Sequence, residues 1–380
     1  MKKQNVLTDY NINNLHFDTK RKTPTMRQFK IEKPSEQMLG AIRDKIDNLN
    51  KPKGSLGQLE KLAEQICYIQ QTLTPALNHP CHLLLGGDHG IEREGVSVSP
   101  RDVTWQQMIN FTHGGGGVNM FCRQHGFDLR IVDMGVDYDL SCNKSIRNCK
   151  IANGTRNFLH ESAMSLSEYD KAIETGCLLV DECAEDKEYK EGKGCNIICV
   201  GEMGIANTSP SSIWMSLFGN IPLDECIGVG AGLNNAGLLH KREILAKSVE
   251  RFQKETPNPS VVDIIREFGG FEMVGAIGAM LRAAERKMIV MIDGFIMSAC
   301  ALAAVRLYPE ARNYFVFGHC GDESGHKKML ALMDAEPLLH LGLRLGEGTG
   351  ALCSYPIIES AVRMVNEMNN FENAKITKYF

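Results

Sequence analysis

Asn196-Ile197-Ile198-Cys199-Val200-Gly201-Glu202-Met203-Gly204-Ile205-Ala206-Asn207-Thr208-Ser209-Pro210 passes from a short apolar run into a glycine turn and then into a helix start. The apolar run has strand length and is rich in β-branched residues. Asn207, Thr208 and Ser209 ahead of Pro210 supply N-cap chemistry and a residue suited to the first helical turn. A strand feeding directly into a helix is half of a βαβ unit, and the same texture recurs along the chain. His82–Leu85, Leu129–Met134, Met288–Ile292 and Tyr314–Phe317 read as further strands, and Asn196–Val200 is the one quoted. Helices are expected near Pro100–Thr112 (signalled by Ser99-Pro100), Leu166–Thr175, Pro210–Phe218, Lys241–Phe252, Val261–Phe268, Phe271–Lys287 and Phe295–Leu307. This alternation predicts an α/β fold with a mostly parallel sheet covered by helices, whose ligands sit beyond the carboxyl ends of the strands.

Outside that region, Ser35–Asn50 and Leu56–Thr72 carry apolar residues at helical spacing around the turn Lys51-Pro52-Lys53-Gly54-Ser55, and Ile357–Asn369 is helical again. The expected division is a basic leader over 1–34, a small helical subdomain from both chain ends (35–80 with 330–380), and a large α/β domain over 81–329. The leader is polar and basic with no apolar run to serve as a signal-peptide core, so secretion is not expected and the cytoplasm is. The charge-free apolar stretch Gly294–Val305 is far short of the roughly 20 residues that span a bilayer. It predicts a buried helix and no membrane contact.

The chain carries 42 basic and 46 acidic residues, a net charge of −4 with no positive excess to hold a nucleic-acid backbone. Nucleic acid is not an expected partner. Its 13 cysteines are odd in number and scattered, without a C-x-x-C pair, and so read as reduced, mostly buried thiols.

Many of the glycines cluster: Gly86-Gly87-Asp88-His89-Gly90, Gly114–Gly117, Gly201–Gly204, Gly228–Gly232 and Gly346-Glu347-Gly348-Thr349-Gly350. Such segments let backbone N–H groups approach an anion. Gly201–Ser209 suits phosphate at a helix N-terminus; the plain alternative is an ordinary strand-to-helix turn. No segment has G-x-G-x-x-G spacing or a Walker lysine, which argues against NAD and P-loop enzymes. Glu347 and Glu202 are carboxylates in glycine surroundings and candidates for general-base work, or else caps of a neighbouring N–H group. His319, Cys320, Asp322, Glu323 and His326 are dense enough to weigh as a metal site, but their spacing matches no ligand motif and no metal is expected. Asp88 and His89 look like an acid–base pair, yet adjacent residues rarely face one another, and strand-end hydrogen bonding is the expected role.

Several blocks in order carry a resemblance. They are Lys51-Pro52-Lys53-Gly54-Ser55-Leu56-Gly57-Gln58-Leu59-Glu60, Gly87-Asp88-His89-Gly90 with Glu94-Gly95-Val96-Ser97, Glu202-Met203-Gly204 with Asn207-Thr208, Asp293-Gly294-Phe295, and Arg344-Leu345-Gly346-Glu347-Gly348-Thr349-Gly350-Ala351. From about Ser35 to the C-terminus the chain resembles the nicotinate-nucleotide–dimethylbenzimidazole phosphoribosyltransferase family of cobalamin nucleotide-loop assembly.

The resemblance implies a Rossmann-like sheet flanked by helices, usually in a homodimer with the site near the subunit interface. It implies transfer of phosphoribose from nicotinate mononucleotide to 5,6-dimethylbenzimidazole, giving α-ribazole 5′-phosphate and nicotinate, with no cofactor. Another acceptor, such as adenine or benzimidazole, and a non-catalytic nucleotide-binding relative are the rival readings. By the same resemblance Glu347 takes the proton of the acceptor base, with Glu202 in reserve. Ser99, Gln107, Met203 and Leu345 line the acceptor pocket, and Gly204, Asn207, Gly230, Lys241, Asp293 and Gly321 hold the nucleotide and its phosphate. Read without the resemblance, Ser99 is an N-cap, Gln107 a solvated helix residue, Met203 and Leu345 core, and Lys241 a surface charge near a helix start.

Three departures from the family pattern stand out. Gly321 replaces a serine hydroxyl, Gly114–Gly117 replaces a Gly-Ala-Ala block, and Gly228–Leu233 lacks a threonine.

Overall fold

The computed structural model describes residues 27–185, 194–230 and 232–378; most of the leader, and Ala231 in the Gly228–Gly232 segment, lie outside them. Two N-terminal helices, α1 (Leu39–Asp47) and α2 (Gln58–Gln70), precede β1 (Cys81–Gly87), α3 (Asp102–Thr112), α4 (Gly117–His125), β2 (Asp128–Gly135) and β3 (Ile146–Asn148). Next come α5 (Leu166–Ala184), β4 (Ile197–Met203), α6 (Thr208–Gly219), α7 (Leu223–Cys226), α8 (Asn235–Glu255), α9 (Val261–Phe268) and α10 (Phe271–Glu285). The chain closes with β5 (Ile289–Ile292), α11 (Phe295–Leu307), β6 (Phe315–Phe317), α12 (His326–Ala331), α13 (Thr349–Glu367) and α14 (Phe371–Ala374).

Among the described residues six strands form one sheet in the order β3-β2-β1-β4-β5-β6, with every pairing parallel. The order reverses between β1 and β4, so the crevice beyond their carboxyl ends is the natural ligand position. β1, β5 and β6 are wholly buried and β4 nearly so, as expected of parallel strands covered on both faces.

Two strands are longer than their apolar runs predict. β1 continues through Gly86 and Gly87, and β4 through Gly201, Glu202 and Met203. The glycines there are strand residues whose lack of a side chain admits a close neighbour: a methyl group on Gly86 would stand 2.5 Å from Met108 Sδ, and one on Gly201 would stand 2.3 Å from the carbonyl oxygen of Glu347. Glu202 is therefore delivered by a strand, not a turn. β3, three residues at the sheet edge, and α4, which follows Gly114–Gly117, give too weak a pattern to be expected. α8 begins at Asn235, ahead of its expected start, because the Asn234 side chain accepts from the Gly237 N–H and caps it. α13 begins at Thr349 and carries Pro356 within it.

α10 is buried on almost every side and packs against α5 through paired glycines: a methyl group on Gly176 would lie 2.0 Å from the Gly275 carbonyl oxygen, and one on Gly278 would lie 2.3 Å from that of Ile173. The helices of the N- and C-terminal segments meet, with α2 against α13 and a backbone bridge between Leu49 and Asn370.

Candidate active site

A cleft of about 170 Å³ opens beyond the carboxyl ends of β1, β4, β5 and β6. It gathers Glu202, Met203, Gly204, Asn207, Gly230, Lys241, Asp293, Gly321 and Leu345 from the expected set. Glu347, Ser99 and Gln107 are not in its lining.

One end is built for an anion. The α6 N-terminus lines the cleft from Asn207 and Thr208, presenting the positive end of the helix dipole. Lys241 is 1% exposed in the second turn of α8, not a surface charge at a helix start, and donates from Nζ to Thr208 Oγ1 at 2.8 Å. Burial lowers its pKa to about 8, against the opposing pull of the Glu323 carboxylate. A buried ammonium hydrogen-bonded to a neutral hydroxyl leaves room for a negative ligand group.

The Gly321 segment is shaped by His326. Gly321 N–H donates to His326 Nδ1 at 2.9 Å, and His326 Nε2 meets Ser298 Oγ at 3.0 Å. Asp322 N–H donates to the Leu343 carbonyl. Those two N–H groups are committed inside the protein and do not replace the absent serine hydroxyl. Asp293 accepts from Ala351 N–H at 2.8 Å and lies 3.4 Å from His319 Nε2, tying the end of β5 to the start of α13. Burial raises its pKa, but His319 and the backbone N–H groups outweigh burial and hold it below the usual value. His319 and His326 thus serve different partners, and among the described residues no group of three or more His, Cys, Asp or Glu is arranged to hold a metal.

Of the two candidate carboxylates, Glu202 lines the cleft and Glu347 does not. Glu202 accepts from Asn207 Nδ2, and its Oε1 lies where a side chain on Gly346 would need to be, 2.5 Å away. Glu202 therefore abuts the turn that carries Glu347. Burial pushes Glu202 up to about 8, with Glu272 the second cause, so it is protonated at neutral pH. Glu347 accepts from the Val118 N–H at 3.0 Å and so caps α4. Burial raises its pKa while the N–H groups of Val118 and Gly117 pull it back. Capping and proton acceptance are not exclusive, because the Val118 N–H engages Oε2 and a carboxylate has a second oxygen to take a proton.

That turn is strained. Gly346, Glu347 and Gly348 have φ of 85°, 62° and 83°, a left-handed run tolerable for the glycines and uncommon for glutamate. Beneath it lies His82, fully buried and kept neutral by burial, its pKa lowered to about 4. A methyl group on Gly348 would stand 2.1 Å from His82 Cε1. Gly348→Ala is expected to destabilise the fold by about 2–4 kcal/mol, from left-handed strain plus that collision. A thermal melt indistinguishable from wild type would contradict this.

Ser99 is not an N-cap, since Arg101 occupies that position on α3. Val96 and Ser97, just upstream, line the cleft instead. Gln107 is half-buried on α3 and accepts from Asn110 Nδ2. Thr104, one turn before it, accepts from the Ile205 N–H and so holds α3 to the segment after β4. Leu345 is 62% exposed, which excludes a core role. Asp88 and His89 diverge: Asp88 Oδ2 accepts from the Asp137 N–H at 2.8 Å, while His89 Nε2 meets Glu272 Oε1 at 2.6 Å. Thr208, Glu323 and Arg344 also line the cleft, beyond the expected site residues. Thr208 and Arg344 stand in sequence blocks already noted, and Glu323 in the cluster weighed for metal.

A family model described as "Phosphoribosyltransferase" matches residues 31–376. The chain is 57% identical over 355 residues to "Nicotinate-nucleotide--dimethylbenzimidazole phosphoribosyltransferase" of Bacteroides fragilis, covering 93% of this chain and 100% of that relative. It is 45% identical over 352 residues to a protein of the same name from Dechloromonas aromatica, covering 93% of this chain and 99% of that one. Among solved structures, CobT from Thermus thermophilus superposes with a TM-score of 0.85 at 29% identity, covering 90% of this chain and 100% of the other.

Proposed function

The chain belongs to the nicotinate-nucleotide–dimethylbenzimidazole phosphoribosyltransferase family, and from that membership we propose how its cleft performs the transfer. The enzyme moves phosphoribose from nicotinate mononucleotide to 5,6-dimethylbenzimidazole, releasing nicotinate and α-ribazole 5′-phosphate for cobalamin synthesis. The observation that carries the assignment of roles is one cleft lined both by a buried ammonium at a helix N-terminus and by Glu202, which abuts the Glu347 turn.

The 5′-phosphate of the donor takes the anion end, between Lys241, the α6 N-terminus and Gly230. Nicotinate is bonded through a pyridinium nitrogen, so it departs from C1′ with a neutral ring nitrogen and needs no proton. The acceptor's free nitrogen attacks from the opposite face, turning a β linkage into an α one. As positive charge grows on the base its other N–H becomes acidic, and Glu347 accepts that proton. The Val118 and Gly117 N–H groups fix the carboxylate's direction, and Met203 and Leu345 cover the base. Glu202, neutral below about pH 8, donates a hydrogen bond toward the substrate, while Glu347 acts as the base.

The protein acts in the cytoplasm as a homodimer. In support, no helix among the described residues is long and apolar enough to cross a membrane, and Leu341 and Leu345 present exposed apolar side chains, Leu345 at the cleft itself. A monomer mass by light scattering at assay concentration would sink the dimer.

Incubating the protein with nicotinate mononucleotide and a panel of 5,6-dimethylbenzimidazole, benzimidazole and adenine should release nicotinate fastest with the first. No release with any base would end the reading.

A further inference from the structure

Beneath the cleft floor lies a buried ionisable pair to which the transfer mechanism gives no role. Glu272 is 0% exposed in α10, a helix otherwise apolar over the same stretch, and His89 follows the end of β1 with 1% exposure. Their Oε1 and Nε2 atoms lie 2.6 Å apart, while Glu272 Oε2 and His89 Nδ1 have no hydrogen-bond partner. A buried pair with half its polar atoms unsatisfied is a poor source of stability; apolar residues of similar volume commonly serve as well or better.

Three glycines approach the pair closely. A methyl group on Gly87 would stand 2.5 Å from Glu272 Oε2, and one on Gly270 would stand 2.3 Å from His89 Cε1. One on Gly204 would stand 3.1 Å from Glu272 Oε1, 3.2 Å from His89 Nε2 and 2.4 Å from the Gly87 carbonyl oxygen. Gly204 lines the cleft and follows Glu202 by two residues. The ends of β1 and β4, the two strands at the switch point, therefore close over this pair.

We infer that His89 and Glu272 form a positioning pair for the cleft: they lock the β1 and β4 ends together and set the charge environment in which Glu202 meets substrate. The inference rests on the role given to Glu202 above. The groups facing Glu202 are Glu272 from α10, Asn207 ahead of α6, Asp293 after β5, Glu347 before α13 and the Cys300 thiol of α11. Those facing Glu272 are His89, Glu202 and Cys300. The Glu272 charge is second only to burial in raising Glu202, with Asn207 opposing. Its removal lowers the pH at which Glu202 loses its proton.

The test is the pH dependence of kcat at saturating nicotinate mononucleotide, where bound phosphate keeps Lys241 charged and the alkaline limb belongs to Glu202. In Glu272→Gln that limb should move to lower pH by about one unit, the size of one nearby buried charge. The double variant His89→Leu with Glu272→Met, which removes both polar partners and so avoids an orphaned group, should show the same displacement if the single variant does not fold. Cys300→Ala, equally buried and within the field of both carboxyl groups but uncharged, should leave the limb in place. A packing role alone would change melting temperature or the amount of active enzyme without moving the limb. An unmoved limb in a folded variant lacking the Glu272 carboxylate overturns the inference while the wild type remains active; a wild type that releases no nicotinate overturns the function reading itself.

Discussion

Replacing Glu347 with Gln is expected to lower turnover by about 10²–10⁴-fold, the range typical of a general base, while leaving the affinity for nicotinate mononucleotide unchanged. The amide keeps the shape of the side chain, and its oxygen can still accept from the Val118 N–H that now holds Oε2 at 3.0 Å. The left-handed turn, supported from below by His82 and from β4 by Gly201, has no reason to rearrange. What is lost is the capacity to take a proton. Single-turnover nicotinate release beside calorimetric titration of the mononucleotide separates the two effects. Near-normal turnover would remove Glu347 from the mechanism and leave it as a helix cap.

Lys241→Met should show the opposite split. The buried Nζ meets Thr208 Oγ1 at the mouth of α6, and a charge-assisted bond to phosphate is worth about 1.5–3 kcal/mol. KM for nicotinate mononucleotide should rise about 10- to 100-fold, with a smaller change in kcat. The wild type carries its own version of this experiment. Burial lowers the Lys241 pKa to about 8, so the ammonium is present below that pH and is lost as pH rises through it. Affinity for the mononucleotide should therefore weaken above about pH 8. A bound phosphate favours the charged form, which confines this limb to kcat/KM and KM. A Lys241→Met enzyme that keeps the wild-type KM at neutral pH would show that another group binds the phosphate.

Much of the architecture is legible in the chain because parallel strands buried on both faces must be short apolar runs, and their crossovers must be helices. The quoted segment from Asn196 to Pro210 carries that logic in one place. Where the reading falls short, the reason is tertiary. Gly86, Gly87, Gly201 and Gly204 look like turn formers, and three of the four are strand residues; they are glycine because Met108, Glu272 and the Glu347 carbonyl approach from elsewhere in the chain. Lys241 reads as a surface charge because its helix is amphipathic and no local pattern shows that α6 and the Gly321 segment close over it. Glu272 is a single acid in an apolar helix, and its partner His89 is 183 residues away. Glu347 and Glu202 are recognisable as unusual, each beside glycine, but that Glu202 abuts the turn carrying Glu347 shows only in the approach of its Oε1 to Gly346.

The central claim is a transfer with inversion at C1′, and the most direct measurement of it is the product itself. Purified protein mixed with nicotinate mononucleotide and 5,6-dimethylbenzimidazole, followed by NMR, should yield one α-linked ribotide of the base for each nicotinate released. Nicotinate appearing with free ribose 5-phosphate in place of the ribotide, or a β-linked product, would contradict the account.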